Sequence, residues 1–192
     1  MQCLKSILTT TMNTIDVIKL MLRQRGVNTD STETIESDFP AVISKIDKVF
    51  IYMSNRSRIS DKDIDTIIGI TQKNGGDLSI VVVPIQPSST IMTALRQKSD
   101  KIQLFHVGQL QFDITTHRKV PSHRILSKEE VPKFTEKYHI PSPSTLMPML
   151  DSQDPMAKWI GAKPGDIIEI MRKSETAGTT PYYRYCVADV TL

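Results

Sequence analysis

The side chains in this sequence with chemical potential are four histidines, two cysteines, scattered carboxylates and three basic clusters. Each fails a specific spacing test. Cys3 and Cys186 stand at opposite ends and form no paired motif, and a zinc site needs four ligands, usually with local spacing. His117 and His123 are six residues apart in a proline-interrupted segment, the wrong spacing for two ligands on one helical face. They read as hydrogen-bonding or packing groups. Gly75-Gly76 suits a helix stop rather than a phosphate cradle, and no Gly-x-Ser-x-Gly elbow occurs. A metal-dependent nuclease would set a carboxylate two positions before a lysine on one strand face. No Asp or Glu here has Lys two positions later, and neither Lys48–Met53 nor Leu78–Val83 carries a carboxylate. The residues therefore point to no catalytic centre, metal, cofactor or small-molecule ligand.

Arg56/Arg58/Lys62, Arg96/Lys98/Lys101 and Arg118/Lys119/Arg124 are interleaved with acids and polar residues, as on a solvated surface. Lys plus Arg is 24 and Asp plus Glu is 21, a net charge of +3. DNA affinity scales with the phosphates neutralised, so a chain this balanced is not expected to grip DNA by itself. Few aromatics leave little for stacking on single strands. Two thiols without a partner suit a reducing compartment. The opening MQCLKSILTTTM is too weakly apolar for a secretory signal, and no run approaches a membrane span. These features suggest a soluble, intracellular protein with no membrane contact.

The elements follow from periodicity. Asn13 or Thr14 can cap a helix with Ile15, Ile18 and Leu22 inward and Gly26 as its stop. Thr29 to Pro40 reads as a loop or short helix. Lys48–Met53 reads as a strand. Ser60 opens a helix with Asp63 at the capping-box position and Ile64, Ile67, Ile68 and Thr71 as its inner stripe. Leu78–Val83 is apolar nearly throughout, as a strand covered on both faces is. Pro84–Ser89 is a loop capping a helix through Leu95, and Lys101–Val107 is a further strand. Strands alternating with helices predict an α/β layer with a mixed sheet, in two or three layers, over residues 1–115.

Texture changes near Thr115, and residues 116–192 form a second, small α+β domain. Ser127-Lys128-Glu129-Glu130 is a capping box for a helix towards His139. Pro141–Pro148 is too proline-rich for regular structure. Asp154-Pro155 starts a short helix stopped by Gly161. Asp166–Arg172 and Pro181–Val187 are the arms of a closing β-hairpin around Ser174–Gly178.

This second region carries a long, ordered motif. It runs Val120-Pro121-x-His123, Leu126-Ser127-Lys128-Glu129-Glu130-Val131, Tyr138, Asp154-Pro155, Trp159 and Gly161-x-Lys163-x-Gly165. Ile168, Ile170, Arg172, Ser174-Glu175-Thr176-Ala177-Gly178 and Tyr183-Arg184 follow. The series resembles the assembly domain of the fifth common subunit of eukaryotic-type RNA polymerases, which archaea carry as a free-standing polymerase subunit. Residues 1–115 are more weakly similar to the jaw domain that the eukaryotic form adds. The shared points are Gln24-Arg25-Gly26, Gly75 to Val83, and Gln86-Pro87-Ser88-Ser89, where Gln86 and Ser89 replace the outer residues of the family's Thr-Pro-Ser-Ala loop. A shortened, drifted jaw suits the polymerase of a large DNA virus, and a divergent cellular copy fits too.

The resemblance implies a non-catalytic subunit. Its C-terminal domain would dock on the largest polymerase subunit, alongside other subunits, through Pro121, His123, Asp154, Pro155, Arg172, Ser174, Glu175, Thr176, Gly178 and Arg184. Its jaw would meet downstream double-stranded DNA through Pro87 and Ser88, a serine hydroxyl binding phosphate without reading sequence. By chemistry alone, Pro87-Ser88 reads as a helix-entry loop with Ser88 or Ser89 as cap. The hairpin charges read as facing water around a left-handed Gly178, and Trp159 as core or interface. A nuclease-like enzyme and a stand-alone adaptor with a borrowed polymerase-binding domain are the competing functions.

Overall fold

The computed structural model describes residues 14–35, 39–56, 59–174 and 178–189. The chain divides into two compact units, Met1–Asp113 and Ile114–Leu192.

The first unit is built on a five-stranded sheet in sequential order: β1 (Glu33–Ile35), β2 (Ala41–Ile46), β3 (Val49–Ser54), β4 (Leu78–Val83) and β5 (Ile102–His106). The first three strands are antiparallel neighbours, whereas β3, β4 and β5 run parallel through helical crossovers α2 (Asp61–Lys73) and α3 (Ser89–Gln97). Alternation along the strands sends Phe50, Tyr52, Val81, Val83, Ile102 and Leu104 to one face, packed with Ile64, Ile67, Ile91 and Leu95 of the two helices. Gln103 points to the other face, where Arg25 at the end of helix α1 (residues 14–24) donates to its Oε1 at 2.9 Å. The sheet is thus mixed and covered on both sides. Two expectations change. Within Thr29–Pro40, residues 29–32 are irregular as expected, Glu33–Ile35 forms strand β1 and 36–38 lie outside the described residues, and β2 is an element its sequence did not announce. Asn13 and Arg58 lie outside the described residues.

The helix ends follow local chemistry. Ser60 and Asp63 form the reciprocal capping box of α2, and Gly26 (φ 81°) and Gly75 (φ 72°) take left-handed stops. Gly76 has a different reason. A Cβ there would lie 2.5 Å from Phe50 Cδ2 and 2.6 Å from Thr71 Cγ2, so the chain can pass the core only without a side chain. Gly76→Ala is expected to cost about 1–3 kcal/mol by overpacking, read as a lower urea midpoint of the first unit.

The second unit holds a four-stranded sheet ordered β6 (Ser122–Ile125), β8 (Ile167–Ser174), β9 (Gly178–Val187), β7 (Met149–Asp151). The β8–β9 hairpin is antiparallel, and β7 joins β9 in parallel. On one face Ile168, Ile170, Cys186 and Leu150 pack with Ala157 of α6 (Pro155–Ile160). On the other, Ile167 packs with Phe134 of α4 (Glu130–Lys137), Leu126 and Met147. Asp154 Oδ1 accepts the N–H groups of Met156 (2.8 Å) and Ala157 (3.3 Å), Pro155 occupies the first turn, and Gly161 (φ 76°) closes α6. Pro141–Pro148 is not wholly irregular, because Pro143 starts a single helical turn, α5 (Pro143–Leu146).

Candidate functional site

The two groups of expected contact residues lie in different units. In the first, Pro87 and Ser88 occupy the loop that leaves β4 and enters α3, beside the carboxyl end of the parallel strands. Ser88 is the N-cap by position (φ −69°, ψ 161°), and its hydroxyl makes no capping bond. Only its carbonyl serves the helix, accepting from Met92 N–H at 3.0 Å. Pro87 is half-buried and, with Ile59, Val83, Ile91 and Leu104, lines a cleft of about 340 Å³. The loop is held at its base by His106, whose Nε2–H donates to the Pro84 carbonyl at 2.9 Å while Nδ1 accepts from Gly108 N–H at 3.1 Å. Sequence reasoning passed over His106, because a lone histidine ending a strand carries no local pattern.

In the second unit, strand register brings several distant positions together. His123 lies opposite Ile170, Arg172 opposite Thr180, Ser174 opposite Gly178 and Arg184 opposite Ile168. All four named residues therefore stand on the sheet face that carries α6. Tyr182 shares that face, with the Arg172 guanidinium 5.8 Å and the Arg184 guanidinium 5.5 Å from its ring centre, a cation–π pair on one ring. Arg184 Nη1 also donates to the Met149 carbonyl at 3.1 Å. Within the segment, His123 Nδ1–H donates to the Pro121 carbonyl at 2.8 Å, which orients the ring. Asp154 and Pro155 are occupied in starting α6. Gly178 is left-handed (φ 69°), as a turn requires. Glu175 and Thr176 lie outside the described residues.

Residues 112–186 match the family model of the RNA polymerase Rpb5 C-terminal domain. The chain is 54% identical over 82 residues to the DNA-directed RNA polymerase subunit Rpo5 of Pyrococcus abyssi, covering 43% of this chain and 98% of that subunit. This chain belongs to the Rpb5/Rpo5 family. The Rpb5 likeness extends beyond that domain. Subunit rpabc1 of DNA-directed RNA polymerases I, II, and III from Dictyostelium discoideum is 27% identical over 145 residues, 73% of each chain. The corresponding RPABC1 of Caenorhabditis elegans is 27% identical over 73% of this chain and 67% of its own. A match of 145 residues is longer than the Ile114–Leu192 unit, so it enters the first unit as well.

The Rpb5/Rpo5 unit also contains a polar brace that the sequence did not single out. Arg124 donates from Nη1 to both Glu130 oxygens at 2.9 Å, and from Nε and Nη2 to Glu169 Oε2 at 3.0 and 2.8 Å. Glu130 meanwhile accepts Ser127 N–H (2.8 Å) and Glu169 accepts the Tyr183 hydroxyl (3.0 Å), so one guanidinium ties β6, β8 and the start of α4. The Ser127 backbone bond, then Arg124, holds the Glu130 carboxyl below its ordinary range. Hydrogen bonds to Glu130 and then Glu169 raise Arg124, and burial followed by Glu169 pushes the Tyr183 phenol up. Burial likewise pushes the Cys186 thiol up to about 12, keeping it protonated and unreactive near neutrality. Among the described residues no group of three His, Cys, Asp or Glu side chains is placed to hold a metal, and no helix is long and apolar enough to cross a membrane.

Proposed function

We propose that this chain is the non-catalytic fifth subunit of a multisubunit DNA-directed RNA polymerase. Its C-terminal unit docks on the largest subunit, and its N-terminal unit is a jaw that helps hold downstream DNA. The observation that carries the reading is the near-complete coverage of the archaeal Rpo5 subunit by 43% of this chain, together with the family match over residues 112–186. The shared face of His123, Arg172, Ser174 and Arg184 supports docking there, since guanidinium groups on a rigid hairpin can make charge-assisted bonds to a partner. On this reading the protein works where its polymerase works: the nucleus for a cellular enzyme, the host cytoplasm and virion for that of a large DNA virus. A tagged full-length chain should recover the two largest polymerase subunits stoichiometrically from its source. A reproducible monomer without large partners would refute the reading.

The jaw assignment is supported by Ser88, whose exposed hydroxyl is not consumed by the helix it precedes. A hydrogen bond to a phosphate is worth about 1.5–3 kcal/mol. Replacing Pro87 and Ser88 by alanine should therefore shorten promoter-complex lifetime roughly tenfold or more. Subunit assembly should be unchanged, and loss of assembly instead would remove the DNA-contact role.

A further inference from the structure

Strand β9 uses its two edges unequally. Along one it pairs with β8 from Tyr185 to Gly178, whereas along the other β7 covers only Tyr185 to Val187. Among the described residues no strand pairs with the outer edge from Gly178 to Arg184. The direction of its main-chain groups follows from the bonds at the paired end. Tyr185 N–H donates outward to the Pro148 carbonyl and the Val187 carbonyl accepts from Ser152 N–H, both at 2.9 Å. Cys186 faces the other way, its N–H donating to the Asp166 carbonyl at 2.8 Å and its carbonyl accepting from Gly165 N–H at 2.9 Å. Carried along the strand, this alternation turns the amides of Thr179 and Tyr183 and the carbonyls of Thr179, Pro181 and Tyr183 to the free edge. Pro181 falls on an outward position, so its missing N–H takes nothing from the β8 ladder and guards the edge against indiscriminate pairing.

The surroundings specify an occupant. Arg172 and Lys173 extend past the end of β6, Arg184 stands at the boundary with β7, and no acidic side chain lies between Gly178 and Arg184. We infer that the outer edge of β9 accepts an extended, acid-bearing segment of the polymerase subunit on which this unit docks, added as a strand along Thr179–Tyr183. This rests on the docking reading above and gives it a mechanism. Main-chain bonds supply affinity, and acids reaching Arg172 and Arg184 supply selectivity. The start of β7 limits the added strand to about five residues, roughly 17 Å.

Residue-resolved amide hydrogen exchange on the full chain, free and in the assembled polymerase, tests this. Exchange at Thr179 and Tyr183 should slow at least tenfold on assembly, while the inward amides of Thr180 and Tyr182 change little. Arg172→Glu should weaken assembly at least tenfold without altering the Thr180 and Tyr182 amides. Assembly that leaves Thr179 and Tyr183 at their free-chain rates would overturn the edge inference and leave docking standing. Failure to assemble at all would refute the docking reading and the inference with it. Slowing of the same amides in the free chain as its concentration rises would assign the edge to a second copy, and also overturn it.

Discussion

Trp159→Ala is expected to remove about 3–5 kcal/mol from the C-terminal unit, a large share of what holds it folded. Trp159 is 1% exposed on α6, the helix whose Ala157 belongs to the cluster against β8 and β9 and whose Ile160 packs on it. Truncating so large a ring leaves a cavity that a short helix, pinned by Asp154 at one end and Gly161 at the other, cannot collapse to fill. A unit of this size has roughly 4–12 kcal/mol in hand, from about 0.05–0.15 kcal/mol per residue. Trp159 is the sequence's single tryptophan, so its fluorescence reports on this unit in the wild type, and the variant must be followed by hydrogen exchange. Trp159→Phe should lose much less, because most of the apolar volume remains. A loss below about 1 kcal/mol for the alanine variant would show that the ring is not a packing anchor.

Features set by neighbours in sequence were legible. The Ser60–Asp63 box, the Asp154-Pro155 helix start and the stop at Gly161 each depend on residues within a few positions, and each forms as expected. Leu78–Val83 announces a strand covered on both faces because both of its alternating sets are apolar except at Ser79, and Ser79–Val83 are buried. Strand β2 was not legible for a physical reason. It turns into β3 through Asp47-Lys48 with Asp47 at φ 52°, lacking the Asn-Gly or Asp-Gly pair that marks a two-residue hairpin. Strands β6 and β7 are four and three residues long and exist because β8 and β9 pair with them, which no local pattern encodes.

The candidate surfaces divide along the same line. Composition alone left Arg124 in a solvated basic cluster, and only register sets it opposite Glu169. Arg172 and Arg184 are twelve residues apart in sequence and share one ring only because the hairpin folds Tyr182 between them. A resemblance can name such residues, whereas the pairing explains why they can act together.

Lys158 provides the second large effect, and its sign is set by burial. Its side chain is almost wholly enclosed, at 4% exposure. Desolvation pulls the ammonium down to about 8 against the opposing attraction of Asp154 and Asp151. In the unfolded chain the group returns to about 10.4. Between those values the unfolded state holds the extra proton, so unfolding free energy rises with pH across that window. Below about pH 8 both states are protonated and the fold carries the full cost of the buried charge, about 3 kcal/mol. Lys158→Met keeps most of the stem and removes the ammonium. It should therefore be more stable than the wild type at pH 7 by up to about 3 kcal/mol, with the advantage vanishing near pH 10.5. Urea unfolding of both proteins at matched pH values between 7 and 10.5 reads this difference directly. A difference that stays constant from pH 7 to 10.5 would mean that the ammonium is solvated and that the gain, if any, comes from packing alone.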